Sequence, residues 1–309
     1  MRDKIIIDTD IGDDIDDALA IQMALHSPEL DVVGITTVFK SCPKRARLAA
    51  HLLYMNGRSD IPVALGAAAP LTGNWDSYKE PCQYSEAAMG HYDCGAMPEA
   101  ASFLVEQTAL HPQQIRVAAI GALTNIASAI RLSDDFARNV KEIVLMGGVY
   151  SYHYNEWNIK CDPEAAAIVF QSGIPIVMVG LDVTLSCYVT ADEALDQLDR
   201  ASYKAAPFIG DCIRMWRAVS PNRPIYLHDP LVIAAMIDPT TVKTEQMLIR
   251  VETKGQYTQG MTFAAQRPFG ERQEGPMNAA VCTDVDKERV VRLFAERTLQ
   301  DGAPAPAMS

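Results

Sequence analysis

The sequence lacks the marks of several protein classes. No Cys-x-x-Cys pair occurs, and the seven cysteines, at 42, 82, 94, 161, 187, 212 and 282, are odd in number and scattered. That argues against a disulfide scaffold and a zinc site, and for reduced thiols. No apolar run reaches the roughly 18 residues a membrane span needs, so no membrane partner is expected. Met-Arg-Asp-Lys leads straight into an apolar run with no signal-like stretch, which makes a cytoplasmic location the expectation. Basic residues are few: 27 Lys and Arg stand against 39 Asp and Glu, for a net charge of −12. Nucleic-acid binding needs clustered Lys and Arg, so the expected partner is a small molecule instead. Repeats, coiled coil and low-complexity tracts are also missing.

What is present is an ordinary globular composition, with 49% hydrophobic and 21% charged residues over 309 positions. Short β-branched runs alternate with helical patterns: 4–7, 30–37, 62–65, 115–120, 142–146 and 174–179 read as strands. Helices are expected between them, with Asp162-Pro163 as one clear start. The alternation predicts an α/β fold, a single domain built on a doubly wound, mostly parallel sheet. Residues 244–253 and 261–265 read as a small β-hairpin late in the chain. The domain is expected to span 1–300, with the Ala- and Pro-rich 301–309 as a flexible tail. Residues 66–98, rich in Gly, Pro and Ala, read as a long irregular segment.

The densest chemistry is Asp8-Thr9-Asp10-Ile11-Gly12-Asp13-Asp14-Ile15-Asp16-Asp17, six aspartates in ten residues. It follows Ile5-Ile6-Ile7 and precedes Ala18-Leu19-Ala20-Ile21, which reads as strand, turn and helix. Asp16 and Asp17 would sit at the helix start, where the macrodipole favours anions. So many carboxylates on one loop call for protonation or a cation. Oxygen ligands of this kind suit calcium or magnesium. An EF-hand register fails, because its fifth and twelfth positions counted from Asp8 are Gly12 and Leu19. A phosphatase of the Asp-x-Asp-x-Thr/Val type is an alternative, with Gly12 against it. Ligands bind beyond the carboxyl ends of parallel strands, and there lie Lys40-Ser41, Thr124-Asn125, Met146, Glu156-Trp157-Asn158 and, before a late helix, His228-Asp229. Trp216 and Tyr226 could stack on a planar ligand or pack in the core.

These residues resemble a known family. Asp8-Thr9-Asp10-Ile11-Gly12 with Asp16-Asp17-Ala18, Gly121-Ala122-Leu123-Thr124-Asn125, Val144-Leu145-Met146-Gly147-Gly148, Glu156-Trp157-Asn158, His228-Asp229-Pro230 and Gly260-Met261-Thr262 occur in the order found in the nucleoside hydrolases of the inosine–uridine-preferring type. The resemblance implies a nucleoside hydrolase-like, Rossmann-like core and hydrolysis of a ribonucleoside to ribose and free base. It implies a bound calcium ion, Ca2+, ligated by Asp10, Asp17, the Thr124 carbonyl and Asp229. Asp10 would be the general base and His228 the proton donor to the leaving base. Asp16, Asn158, Glu156 and Asp229 would bind ribose, with Met146 lining the sugar pocket and Trp216 near the base. A homo-oligomer, dimer or tetramer, is implied as well. A non-catalytic nucleoside- or ribose-binding protein on the same scaffold is the other reading. The chain departs from the family in five places, two of them a short loop before Glu156 and Ala265 where Asp is common. The acidic loop is two residues longer than usual, which leaves Asp13 and Asp14 without assigned tasks or, alternatively, in the place of Asp16 or Asp17 at the metal. Lys40 and Ser41 replace a Gly followed by Asn or Asp, so a ribose or water contact there is lost or altered, with Ser41 the candidate substrate-binding residue. The segment around Gln83–His91 lacks the usual His-Gly pattern. The resemblance leaves the identity of the base open.

Overall fold

The computed structural model describes residues 2–73, 80–89, 97–265 and 275–301. The expected tail falls on 302–309, and parts of the irregular 66–98 segment fall on 74–79 and 90–96, outside the described residues. The strands are β1 (Asp3–Thr9), β2 (Leu30–Thr37), β3 (Val63–Ala64), β4 (Ile115–Ala119), β5 (Glu142–Met146), β6 (Ile176–Val179), β7 (Tyr188–Val189), β8 (Ile225–Tyr226), β9 (Val242–Met247), β10 (Ile249–Val251), β11 (Thr262–Ala264) and β12 (Ala279–Val285). Eight form one sheet in the order β3-β2-β1-β4-β5-β6-β12-β9. All neighbours in it are parallel except β12 and β9, which run antiparallel.

Parallel strands must be covered on both faces, so they carry continuous apolar runs rather than alternating ones. The Ile5-Ile6-Ile7 triplet shows this. Ile5 and Ile7 enter one core cluster and Ile6 enters the other. All three are fully buried, each contributing about 1.5–3 kcal/mol of apolar burial. Helices Asp16–Leu25, Cys42–Met55, Ala206–Val219 and His228–Ile237 cover the first face. Helices Ala100–Leu110, Thr124–Leu132 and Pro163–Gln171 cover the second. Among the described residues, no helix is long and apolar enough to cross a membrane.

The late hairpin exists but is shorter than expected, pairing only β10 with β11. Residues 244–247, expected to lengthen it, belong instead to β9 at the edge of the main sheet and pair with β12, a strand the sequence reading missed. Lys243 to Gln246 are largely exposed there, and charge on an exposed edge strand discourages further pairing.

From β1 the chain moves outward to β2 and β3, then returns to the other side of β1 for β4, β5 and β6. The strand order therefore reverses between β1 and β4. Connections on either side of such a switch point diverge and leave a crevice at the carboxyl ends of the strands.

Candidate active site

Asp10 follows β1 directly and lies at this crevice. Behind it, Asp8 accepts from Asn125 Nδ2 at 2.7 Å and from the Thr36 hydroxyl. Thr9 Oγ1 donates to Asp17 Oδ1 at 2.5 Å and accepts from the Ile11 N–H at 3.0 Å. One threonine thus ties the end of the strand to the start of the next helix. Asp16 and Asp17 open helix Asp16–Leu25, and Asp229 lies in the first turn of helix His228–Ile237. The two helices pack against each other, and the Asp229 N–H donates to the Asp16 carboxylate. Both helix dipoles therefore point their positive ends at the same carboxylates.

One carboxylate oxygen each from Asp16, Asp17 and Asp229 lies within 4.8 Å of the others. All three side chains are buried. Unit charges about 4 Å apart repel by about 4 kcal/mol at an effective dielectric near 20. Burial raises the pKa of each of the three, and neighbouring aspartates raise it further. Burial also pushes Asp10 up to about 6 and Asp8 up to about 7. One oxygen of Asp8, Oδ2, is buried with no hydrogen-bond partner among the described residues. An all-oxygen, anionic, buried donor set with self-repulsion of this size fits a hard divalent cation.

The two extra residues of the acidic loop have partners. Asp13 Oδ2 lies 2.6 Å from Arg45 Nη2. The Arg45 side chain is fully buried, and it also donates to the carbonyls of Phe39 at 2.8 Å, of Ile11 at 2.9 Å and of Asp10. Asp14 Oδ1 accepts from the Ile15 N–H at 2.8 Å, and its Oδ2 pairs with Arg223 at 3.1 Å. The Gln83 N–H donates to the Gly12 carbonyl at 3.1 Å and its Nε2 donates to the Asp14 carbonyl at 2.5 Å. The loop is therefore a braced structure rather than a solvated acidic turn.

Above the acids lies a cavity of about 840 Å³. Glu156 forms part of its wall and caps the short helix Trp157–Cys161. Its carboxylate accepts from the N–H groups of Asn158 at 2.9 Å, Gly148 at 3.0 Å and Ile159 at 3.1 Å. Gly148 holds a φ of +79°, and a Cβ there would meet Met178 Cε at 2.6 Å. Asn158 Nδ2 donates to the carbonyls of Met146 at 3.1 Å and Ile120 at 3.2 Å, which leaves its amide oxygen as the group to face a ligand. At the other end stand Trp216, Tyr226, His228 and Arg223. The Tyr226 and His228 rings stack with centroids 5.4 Å apart, and His228 Nδ1 lies 2.7 Å from Thr184 Oγ1. Burial lowers the His228 pKa to about 4, so at neutral pH the ring is uncharged.

Residues 5–292 match the family model described as inosine-uridine preferring nucleoside hydrolase. The chain belongs to that family. It is 37% identical over 320 residues to the Arabidopsis thaliana protein named "Probable uridine nucleosidase 2", covering 97% of this chain and 98% of that one. It is 33% identical over 312 residues to the pyrimidine-specific ribonucleoside hydrolase RihA of Citrobacter koseri, covering 95% and 97%. Among solved structures it resembles a plant nucleoside hydrolase, the PpNRh1 enzyme, with a TM-score of 0.84 and 32% identity over 97% of this chain and 99% of that one. As a nucleoside hydrolase, the protein is an enzyme that acts on N-glycosyl bonds.

The fold of this nucleoside hydrolase brings Asp10, Asp16, Asp17, Met146, Glu156, Asn158, Trp216, His228 and Asp229 to one cavity. It does not bring Thr124 or Ser41 there. The Thr124 carbonyl accepts from Ser128 Oγ at 2.7 Å within its own helix, and its hydroxyl donates to Asp162 at 2.8 Å. Ser41 caps helix Cys42–Met55 and is buried, its carbonyl accepting from the N–H groups of Lys44 and Arg45. Its neighbour Lys40 lines the cavity instead, with a left-handed φ of 53° that follows 73° at Phe39. The Thr-Asn motif acts as scaffold here. Thr124 holds Asp162, and Asn125 bridges Asp8, the Thr37 carbonyl and the Ala67 N–H. Ile120, the residue after β4, lines the cavity, and its carbonyl accepts from Asn158 Nδ2. Reading the sequence for polar side chains passes over it, since the group it offers is on the main chain. The available signal was Gly121, the residue after it. A Cβ at 121 would stand 3.0 Å from Asp10 N and 3.1 Å from Asp10 Oδ1.

Proposed function

We propose that this enzyme hydrolyses the N-glycosidic bond of a ribonucleoside, uridine foremost, with calcium held on the acidic floor. The observation that carries the reading is the buried trio Asp16, Asp17 and Asp229 with Asp10 beside it. Asp10, Asp17, Asp229 and the Ile120 carbonyl are the groups that would hold the ion, and Ile120 takes the place first given to Thr124. When bound, calcium lowers the pKa of water and orients a vicinal diol. Asp10, ionised beside that charge, accepts the proton of the attacking water. Asp16, Asn158 and Glu156 bind the ribose hydroxyls. Cleavage of the glycosidic bond builds oxocarbenium character on the sugar, and the carboxylates of the floor stabilise that positive charge. Asn158 and Glu156 are fixed by their backbone hydrogen bonds before substrate arrives, so they need little reorganisation.

His228 is read as a hydrogen-bond donor to the departing base rather than as a cationic acid. With Nδ1 engaged by Thr184, its Nε2 is free to face the cavity. Trp216 and Tyr226 give the base an apolar, aromatic wall. The preference for uridine rests on relatives whose names specify uridine or pyrimidine.

The test is incubation of the calcium-loaded protein with uridine, cytidine, inosine and adenosine, followed by assay of reducing sugar and free base. Uracil and ribose released in equal amounts support the reading. Heat stabilisation by nucleoside without product would favour the binding-protein alternative.

A further inference from the structure

The loop 220–224 places a permanent cation, Arg223, among the residues that line the cavity with Tyr226 and His228. Arg223 lies between helix Ala206–Val219 and β8, separated from the strand by Pro224, and Tyr226 of β8 stacks on His228. The N–H of Arg223 donates to the Ser220 carbonyl at 3.4 Å, so the loop is a closed turn. Arg223 lines the cavity, and its side chain is 45% exposed. Its partner, Asp14, has both oxygens engaged, Oδ1 by the Ile15 N–H at 2.8 Å and Oδ2 by Arg223 Nη2 at 3.1 Å. Asp14, which also lines the cavity, thus holds the guanidinium through one terminal nitrogen, and an arginine carries five N–H donors in all.

Resting on the hydrolase reading above, we propose that Arg223 is a catalytic residue for base departure. It donates to a keto oxygen of the base and stabilises the negative charge that forms as the base leaves. Asp14, from the lengthened acidic loop, is its positioning residue. In the step, the bond from C1′ to the base nitrogen breaks and its electron pair passes into the base. Water forms the new bond to C1′ and gives its proton to Asp10. The base anion takes its proton afterwards, from His228 with resupply from solvent or from solvent directly. A pyrimidine carries the charge of departure on its keto oxygens and has no imidazole nitrogen to be protonated remotely, so a fixed guanidinium suits it. Preorganised donors aimed at developing charge act through the transition state rather than through ground-state binding.

A leaving-group comparison separates this role from a structural one. kcat/KM is measured for uridine and for 5-fluorouridine, whose base is the better leaving group, in the wild type, Arg223→Gln, Arg223→Lys and Asp14→Asn. Arg223→Gln is expected to lower the uridine value by about 10²-fold, mostly in kcat. The 5-fluorouridine value falls much less, so the ratio between the two substrates rises. Arg223→Lys restores part of the loss, and Asp14→Asn shifts the ratio in the same direction by a smaller amount. Equal losses on both substrates, or no loss, overturn the proposal while leaving the hydrolase reading intact. If the wild type releases base from neither nucleoside, the uridine preference fails and this inference fails with it.

Discussion

Arg45 reaches Asp13 at 2.6 Å from a side chain with no solvent exposure. The same guanidinium holds the carbonyls of Asp10, Ile11 and Phe39. A buried cation therefore ties the acidic loop to the turn after β2, and it offsets part of the negative charge of the loop. Removing one partner of a buried, hydrogen-bonded ion pair costs about 3–5 kcal/mol. Arg45→Met should lower the unfolding free energy by about 3 kcal/mol or more in denaturant titration. Asp13→Asn should cost less, because Asp13 is 24% exposed and Arg45 keeps its three carbonyls.

Stability should also depend on pH and cation together. Burial raises Asp10 from 3.8 to about 6 and Asp8 from 3.8 to about 7. A carboxyl whose folded pKa exceeds its unfolded value binds its proton more tightly when folded, so folding becomes less favourable as pH climbs from the lower value through the higher. The cation-free protein should lose stability between roughly pH 4 and pH 7. Calcium favours the ionised carboxylates, so it should raise Tm more at pH 8 than at pH 5, and chelation should remove the difference. A Tm indifferent to calcium and chelator at both pH values would contradict the assignment of the floor.

Gly121 offers a test by steric contact. A Cβ there meets Val38 Cγ1 at 2.7 Å, Asp10 N at 3.0 Å and Asp10 Oδ1 at 3.1 Å. Gly121→Ala should displace the Asp10 carboxylate and weaken calcium binding in isothermal titration, with a loss of turnover. Thr124→Ser, away from the cavity and able to keep the bond to Asp162, should leave calcium affinity unchanged.

Much of this was legible in the sequence because parallel strands and their helices leave strong local patterns. Ile5-Ile6-Ile7 announces a strand buried on both faces, and the aspartates that follow can only lie at its carboxyl end. The late strands were harder. Ala279–Val285 mixes apolar and polar residues, and Val242–Met247 is mostly polar because it is an edge. Candidate side chains were legible in the sequence, and candidate main-chain groups were not. Thr124 drew attention as a hydroxyl, while the carbonyl that accepts from Asn158 belongs to apolar Ile120. The tasks of Asp13 and Asp14 depend on Arg45 and Arg223, partners far away in the chain, and no local pattern announces such pairs.

The central claim is that Asp10 activates water for attack on a ribosyl carbon held over the acidic floor. The most direct test is uracil release from uridine by calcium-loaded wild type and calcium-loaded Asp10→Asn, with nucleoside binding followed by the shift in Tm. The account predicts release by the wild type and a loss of about 10²–10⁴-fold in Asp10→Asn, with uridine still stabilising the variant. Undiminished turnover by calcium-loaded Asp10→Asn, or a calcium-loaded wild type that cleaves no ribonucleoside, would contradict it.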